Sequence, residues 1–392
     1  MTEPGQGSLE RLRLTNRTTV LDLLARSGPL SRADVTRATG LSRTTVSNLV
    51  RELLHEELVA ESADRGQPHK GGSGRPPTLL SLRGLPGAVV GVDIGHRHVR
   101  VVVAELSATV LAEQSVVLDV DHAAKVVLDK AAEMIRATLA ECDVPIDRVV
   151  GFGMGVPGPV DPRTGMITSA ILPGWIGLAP ADELSARIGV PVRIDNDANI
   201  GALGELTFGA AQGLADVIYV KAAGGLGAGL VLGGQLHRGA TGIAGEIGHV
   251  RLNEAGPVCR CGNRGCLETQ VSAPKLVEVL QPAHDEELTV ERMLELDRSG
   301  DAGVNRVLDD AGRSIGRVLA DLSNHINPAA IVVGGAMGQS TALLNGIRDS
   351  VDRYAQPDIA ATIRITAGAL GERAEVMGAL ALARDVTAVT SG

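Results

Sequence analysis

The chain has 392 residues, enough for two or three domains and a large hydrophobic core. The chain contains only 2 Phe, 2 Tyr and 1 Trp but 49 Gly, so recognition that depends mainly on aromatic stacking is excluded. The formal net charge of -9 argues against a general polyanion binder. That charge is unevenly divided, because residues 1–85 carry 12 basic and 9 acidic side chains and are basic overall. We therefore expect the N-terminal segment and the acidic remainder to bind different partners.

The sequence shows no targeting or membrane signal. Residues 1–5 do not form a basic patch leading into an apolar run, and no stretch approaches the roughly 18 apolar residues of a membrane-spanning helix. We therefore predict a cytoplasmic protein without a membrane partner.

Three short helices are predicted near the N-terminus. Spaced apolar residues predict the first over residues 16–27. Ser31, with Asp34 three positions later, forms an approximate capping box for the second, which ends at Gly40. Ser42 is the predicted cap of a third helix that runs to about Leu54. Two helices joined by a glycine-containing turn are typical of a helix-turn-helix motif.

The third helix has an apolar face and a polar outer face. The predicted DNA contacts on it are Ser42, Arg43, Thr44, Thr45, Ser47 and Asn48. Two strands around a basic tip, at about residues 62–78, predict a wing in which Arg75 reaches a minor groove or phosphates. A three-helix protein-interaction module with a disordered linker is the alternative. The eight arginines of residues 11–51, the turn and the wing agree with one another and favour DNA.

The C-terminal region contains one pattern twice. The apolar run Ala88–Asp93 leads into a glycine-bearing turn, two further strands and a helix at about residues 122–141. Much later, the strand Val217–Val220 leads into the turn Gly224–Gly229 and a returning strand. The repeat predicts two related lobes facing each other over a cleft, with turns whose backbone N–H groups can approach phosphate. A plain hairpin is the alternative explanation of each turn.

A polar run lies between the two repeats. A short strand ends in Asp195–Asn199, and a helix is predicted at residues 200–206. Such a run either projects a carboxylate and two amides into the cleft or caps the helix. The local pattern leaves both interpretations open.

A group of potential metal ligands follows. His249 lies ten residues before Cys259, and Cys261 and Cys266 complete a set of three thiols and one imidazole. These are the ligands of a closed tetrahedral zinc site, and a site without an open position is structural. A reduced, metal-free cysteine cluster is the alternative, but the Cys-x-Cys-x4-Cys spacing with a nearby His favours zinc.

With these motifs the chain resembles the ROK family of repressors, open reading frames and kinases, and in particular its sugar-responsive transcriptional regulators. The resemblance rests on the winged helix, the glycine-rich turns, Asn196–Asn199, Gly245–His249 and the cysteine motif. It implies an α/β fold in which a winged helix-turn-helix domain (residues 1–82) precedes a two-lobed, actin-like, sugar kinase-like domain with ribonuclease H-like lobes (residues 86–392). The zinc motif then spans residues 249–266.

The resemblance also implies roles for individual residues. The sugar contacts of the family correspond to Asn196, Asp197, Glu246, His249 and Glu268. Its zinc ligands correspond to His249, Cys259, Cys261 and Cys266. His249 would ligate the metal through one nitrogen and face the sugar with the other.

The resemblance to the family's kinases is weaker at the phosphate-binding turns. Asp197 corresponds to the catalytic base of the kinases, and the turn remnants are Asp93, Gly95, Gly225 and Gly227. Active kinases resemble Asp-x-Gly-Gly-Thr-Lys at the first turn and Gly-Thr-Gly at the second. This chain has His96-Arg97-His98 after Gly95, and Ala223-Gly224-Gly225 at the second turn. Because both turns lack hydroxyl donors, the sequence disfavours use of ATP and magnesium.

The sequence thus predicts a transcriptional repressor of sugar uptake or metabolism genes. It would be a homodimer or higher homo-oligomer that binds palindromic operator DNA, with an affinity that changes when a sugar or sugar derivative occupies the cleft. One alternative is an ATP-dependent sugar kinase with Asp197 as base. Another is a constitutive DNA-binding protein whose vestigial kinase domain serves oligomerisation. Trp175 either lies beside the sugar or anchors a loop.

Overall fold

The computed structural model describes residues 16–17, 19–21, 23–24, 29–55, 59–65, 78–82, 87–167, 169 and 171–384. The chain divides into two compact units. The smaller runs to Val89 and includes Ala104–Leu111 and Asp147–Val149, and the larger contains Val90–Val103, Ala112–Ile146 and the chain from Val150 onward.

The N-terminal region is a winged helix-turn-helix. The described part of residues 16–24 is helical, and helices α1 (Arg32–Thr39) and α2 (Arg43–His55) follow. Strands β1 (Leu30–Ser31), β2 (Val59–Arg65) and β3 (Thr78–Leu82) form a sheet in the order β1-β3-β2. The three predicted helices are confirmed, whereas the two-residue strand β1 was not predicted, because so short a strand is defined by its partner rather than by its own pattern.

Local side-chain chemistry sets the helix boundaries. The capping box is present, since Ser31 Oγ accepts from the backbone N–H of Asp34 at 3.2 Å and Asp34 Oδ2 accepts from that of Ser31 at 3.1 Å. Gly40 ends α1 with a φ of +69°, in the left-handed region that favours glycine. Ser42 Oγ accepts from the N–H of Thr45 at 3.1 Å and so caps α2.

The two strands of the predicted wing are present. Strands β2 and β3 pair antiparallel, with Val59 opposite Leu82 and Arg65 opposite Thr78. Residues 66–77, with the predicted DNA contact Arg75, lie outside the described residues.

The C-terminal region contains two five-stranded sheets of identical topology. The first is ordered β6-β5-β4-β7-β8 and the second β11-β10-β9-β12-β13, so each follows the order third, second, first, fourth, fifth. The strands of the first sheet are Ala88–Gly95 (β4), His98–Glu105 (β5), Val110–Val117 (β6), Val149–Val156 (β7) and Arg193–Asn196 (β8). Those of the second are Val217–Ala222 (β9), Leu226–Leu232 (β10), Gln235–Leu236 (β11), Ala330–Gly334 (β12) and Arg364–Ala367 (β13). The predicted duplication into two lobes is confirmed.

Helices accompany both sheets. They are Ala124–Glu141 (α3), Pro180–Ile188 (α4), Asp197–Phe208 (α5), Glu268–Val271 (α6), Ala273–Leu280 (α7), Val290–Ser299 (α8), Ala302–Ile326 (α9), Thr341–Tyr354 (α10), Pro357–Ala360 (α11) and Ala374–Arg384 (α12). The helix predicted at 122–141 is confirmed within two residues. The helix predicted at 200–206 begins three residues earlier, because the Asn196 side chain caps it. Among the described residues, none of the helices combines the length and the apolar character that crossing a membrane requires.

Helices α5 and α12 pack backbone against backbone. A Cβ atom at Gly204 would collide with the carbonyl of Ala374, and one at Gly378 with the carbonyl of Ile200. Glycine is therefore required at both positions, and the close approach brings the first turns of α5 and α12 near strand β9.

Candidate functional site

The predicted DNA contacts lie together on the outer side of α2. Ser42, Arg43, Thr44, Ser47 and Asn48 are exposed, while Val46, Leu49, Val50 and Leu53 are buried. Thr45 is half-buried, with its hydroxyl 2.8 Å from Ser42 Oγ, so it belongs to the helix cap as well. An exposed polar face on a helix held by a small core has the geometry of a recognition helix.

The predicted metal ligands converge. The ligand atoms of His249, Cys259, Cys261 and Cys266 all lie within 4.8 Å of one another. His249 Nδ1 is 3.5 Å from Cys259 Sγ, and Cys261 Sγ is 3.7 Å from Cys266 Sγ. A tetrahedral ion with metal–sulfur bonds of about 2.3 Å sets its sulfur atoms about 3.8 Å apart, so the separations fit one such ion.

The backbone around these ligands forms a tight knuckle. Gly262 and Gly265 have φ values of +92° and +65°, and a Cβ at Gly265 would collide with the carbonyl of Asn253. The N–H of Cys259 donates to the carbonyl of Asn263 at 2.7 Å. Burial and the neighbouring thiols raise the pKa of Cys266 to about 12, so its thiolate requires a cation as partner.

The knuckle fixes two of the predicted sugar contacts. His249 Nε2 lies 3.5 Å from Glu246 Oε2, so the imidazole faces the cysteines with one nitrogen and a carboxylate with the other. Glu268 follows Cys266 by two residues, and its Oε2 accepts from the N–H of Leu226 at 3.0 Å. Three of the predicted sugar contacts are therefore linked to the potential metal ligands: His249 is itself one of them, Glu246 contacts His249, and Glu268 follows Cys266 in the chain.

Two other carboxylates act on Glu246 through their charges at this site. Burial, followed by the charges of Asp197 and Glu268, raises the pKa of Glu246 to about 7. Such carboxylates can each accept hydrogen bonds from neighbouring hydroxyls of a polyol.

The side chains of the polar run before α5 make different kinds of contact. Asn196 Oδ1 accepts from the N–H groups of Ala198 and Asn199, at 2.9 and 3.4 Å, so the helix-cap interpretation holds for this oxygen. Asp195 accepts from Asn199 Nδ2 at 2.8 Å and from Arg238 Nε at 2.7 Å. Its carboxylate therefore holds the side chains of Asn199 and Arg238 in place. Asp197 begins the helix, and its charge acts on Glu246.

The side chain of His98 lies against Gly95 in the first glycine turn. His98 Nε2 lies 2.9 Å from Asp93 Oδ2, and a Cβ at Gly95 would overlap the His98 ring. Burial acts to raise the pKa of Asp93, but the hydrogen bond and charge of His98, with Lys221 and Arg100, outweigh it and lower that pKa. The His98 ring thus covers the side of Gly95 from which a side chain would project.

The second glycine turn faces other side chains. A Cβ at Gly225 would lie 3.0 Å from Glu268 Oε2 and 3.9 Å from His96 Nε2, so this turn lies close to both side chains. His96 Nδ1 in turn lies 2.6 Å from Asp121 Oδ1. Gly227 packs against the start of α5, since its Cβ would lie 3.3 Å from that of Ala198.

Three residues that the sequence analysis missed complete the site. Lys221 Nζ donates to Asp197 Oδ2 at 2.8 Å and lies 3.8 Å from Glu375 Oε1, and Arg260 Nε lies 3.3 Å from Glu268 Oε1. A lysine inside the apolar strand Val217–Ala222 is unusual, and this feature of the sequence could have indicated that Lys221 belongs to the site. Nothing in the local sequence of Glu375 marks it.

Trp175 is a loop anchor. It is fully buried, and its Nε1 donates to the carbonyl of Val120 at 2.8 Å. Of the two predicted roles, beside a sugar or in a loop, the role of loop anchor therefore applies.

The comparisons with known proteins agree with this architecture. The ROK family model matches residues 89–386, and the MarR family model matches residues 14–67. The chain belongs to the ROK family. It is 30% identical over 364 residues to the xylose repressor of Bacillus spizizenii, an alignment that covers 93% of each protein.

Two solved structures of the ROK family extend the comparison. A transcriptional regulator described as a homolog of the E. coli MLC protein has a TM-score of 0.77 at 26% identity, covering 95% of this chain and 96% of its own. A glucokinase from Streptomyces griseus, in complex with glucose and AMPPNP, has a TM-score of 0.67 at 30% identity. It covers 76% of this chain and 100% of its own, so the similarity to the glucokinase leaves out about a quarter of this ROK protein.

Proposed function

We propose that this ROK protein is a DNA-binding transcriptional repressor of genes for sugar uptake or metabolism, whose operator affinity changes when a sugar binds its C-terminal domain. The observation that carries the proposal is the combination, in one chain, of an exposed polar helix in a winged helix and a group of four potential metal ligands, one of which, His249, lies 3.5 Å from Glu246. The similarity to the xylose repressor along 93% of both proteins supports it.

The proposed sugar contacts are Asn196, Asp197, Glu246, His249 and Glu268. Their support is the contact of His249 with Glu246 and the effect of the Asp197 and Glu268 charges on the pKa of Glu246. A sugar presents adjacent hydroxyls that both donate and accept, which suits paired carboxylates with an imidazole.

We further propose that the effector is an uncharged sugar. Two cations of the site are already paired: Lys221 with Asp197, and Arg260 with Glu268. A sugar phosphate or sugar acid would meet a surplus of negative charge, which opposes binding of an anion. Pentoses such as xylose are the first ligands to test, because the related protein is named for that sugar.

The metal is proposed to be zinc, held by His249, Cys259, Cys261 and Cys266. Three thiolates and one imidazole prefer zinc and leave no open position, so the ion would hold the loop that carries Glu268 rather than take part in chemistry.

DNA binding is assigned to α2 and the wing of a domain that ends near residue 82, with the sugar-binding domain beginning near residue 86. The matched segments, residues 14–67 and 89–386, support this boundary. We propose a homodimer on a palindromic operator, because one winged helix contacts too few base pairs for a selective site.

The decisive experiment measures operator affinity of the full chain against neutral sugars, sugar phosphates and ATP. A neutral sugar should change the affinity, and sugar phosphates and ATP should not. Operator binding that no sugar changes would favour a constitutive DNA-binding protein. ATP-dependent phosphorylation of a sugar that Asp197→Asn abolishes would instead establish a kinase.

A further inference from the structure

Strand β9 contains a lysine where an apolar residue is expected. Val217, Ile218, Tyr219 and Val220 are buried, and Lys221 is the charged member of the strand, with 15% of its side chain exposed. An ammonium group in such surroundings is costly unless opposite charges and hydrogen bonds surround it.

Carboxylates from three separate elements surround Lys221. Asp197, at the start of α5, accepts from Nζ at 2.8 Å, and Glu375, in the first turn of α12, lies 3.8 Å away. Asp93 of β4 acts on it through its charge. Burial would lower the pKa of Lys221, but these three carboxylates outweigh it and hold that pKa above its usual range, so the group stays cationic.

The lysine changes what Asp197 can do. Its Oδ1 accepts from the N–H of Ala198 at 2.7 Å and its Oδ2 from Lys221, so both oxygens are engaged. A general base must be free to take up a proton in the reaction, whereas Asp197 is held in an ion pair with Lys221. A carboxylate oxygen that already accepts one hydrogen bond still has a lone pair for a sugar hydroxyl.

Asp93, another of the carboxylates that act on Lys221, also has a partner for one of its oxygens. Asp93 Oδ2 faces His98, and Asp93 Oδ1 is buried without a hydrogen-bond partner among the described residues. Phosphoryl-transfer sites use a divalent cation to balance the negative charge of such carboxylates and of the phosphate oxygens. Here a lysine and a histidine of the chain itself face them.

We propose that Lys221 is a built-in counter-ion, which supplies among Asp93, Asp197 and Glu375 the positive charge that a phosphoryl-transfer site takes from a divalent cation. Lys221 thereby holds the Asp197 carboxylate in place as an acceptor for the sugar. The part that concerns the sugar rests on the function proposed above, whereas the counter-ion role does not depend on any sugar.

The test is manganese binding to the full, zinc-loaded chain, measured by the free Mn²⁺ signal in electron paramagnetic resonance. Lys221→Met removes the charge at similar side-chain length and leaves three carboxylates unbalanced. We expect this variant to bind one Mn²⁺ at least about tenfold more tightly than the wild type. Adding Asp93→Asn to Lys221→Met should abolish the gain, which separates this site from the cysteine cluster.

The matched control is Lys275→Met. Lys275 is exposed and forms an ion pair with Glu278 at 2.7 Å on the surface of α7, so its loss should leave Mn²⁺ binding unchanged. If Lys221→Met fails to fold, Lys221→Gln is used, and the wild type is titrated in either case. A folded variant without the gain, or a wild-type Mn²⁺ site that Asp93→Asn weakens, would overturn the proposal.

Sugar binding supplies an independent measurement. Lys221→Met should weaken affinity for the neutral sugar about tenfold or more, and Mn²⁺ should restore part of it. If the wild type binds no sugar while the Mn²⁺ gain is observed, the counter-ion role stands and the proposed sugar function fails.

Discussion

At the scale of single residues, the charged groups between the two lobes are balanced against one another. Tyr219 Oη donates to Glu375 Oε1 at 3.1 Å, and Lys221 lies on the same side of that carboxylate. Burial is the main reason that the pKa of Glu375 rises to about 7, opposed by Lys221 and reinforced by Asp93 and Asp197. Glu375 therefore changes its charge near neutral pH, unlike an ordinary glutamate.

Glu375→Gln should alter how stability depends on pH. The folded-state pKa of Glu375 is raised, so its favourable contribution is complete below about pH 4.5 and is lost as pH rises through about 7. We expect variant and wild type to be similar at low pH, and the variant to be more stable at pH 8 by up to about 3 kcal/mol. Urea unfolding across this range measures the difference. Glu278→Gln, at an exposed position, is the control, and parallel curves for Glu375→Gln and the wild type would contradict the prediction.

At the scale of elements, the cysteine knuckle and helix α2 each depend on a few side chains. The knuckle relies on glycines in the left-handed region and on four ligand atoms within 4.8 Å of one another. Helix α2 is positioned by four buried apolar residues and the Ser42 cap, which leaves its outer face to the partner.

Cys261→Ser should lower the metal content and the sugar affinity together. The wild type is expected to hold about one zinc ion per chain, and the variant much less, because serine is a poor zinc ligand. Without the ion, the loop that places Glu268 against the N–H of Leu226 is no longer held. Metal analysis and sugar titration measure the two effects. Cys142→Ser, distant in sequence from the cluster, is the control, and full sugar affinity in metal-free Cys261→Ser protein would count against the connection.

Arg43→Ala combined with Ser47→Ala should remove sequence-specific operator binding. Both side chains are exposed on α2 and outside its core, so folding should be little affected. A loss of about 1–3 kcal/mol for each base contact predicts a decrease of tenfold or more in operator affinity, with unchanged sugar affinity. Arg292→Ala, an exposed arginine of α8, is the control. Undiminished operator affinity in the double variant would show that another surface contacts the bases.

At the scale of the whole molecule, a basic DNA-binding segment is attached to an acidic body. Residues 1–85 carry a surplus of basic side chains in a chain whose formal net charge is -9. The charge of the body disfavours nonspecific contact with DNA, so productive binding should depend on the winged helix and on salt concentration.

A dimer on a palindromic operator predicts a dependence on half-site spacing. Inserting about five base pairs between the half-sites turns one by half a helical turn, and this should greatly weaken binding. An insertion of about ten base pairs returns both half-sites to one side of the duplex and should restore part of the affinity. Electrophoretic mobility shifts, with sedimentation to count the chains bound, measure both. Equal affinity for all three spacings would indicate that a single protomer binds.

The sequence by itself determined the elements whose signals are local. Caps such as Ser31 with Asp34, the alternation of apolar and polar residues in α2, the duplicated strand-and-turn pattern and the crowded cysteines all depend on neighbours a few residues apart. Propensity and periodicity act over that range, so these features could be predicted together with the fold class.

Only the tertiary structure decided how the charges between the lobes are paired. Lys221 and Asp197 are 24 positions apart, and Tyr219 and Glu375 are 156 apart, so no local pattern connects them. His98 lies close to Gly95 in sequence, yet only the strand geometry shows that its ring covers that glycine. Buried charges are stable only with partners, and the packing of distant segments determines which partners are within reach.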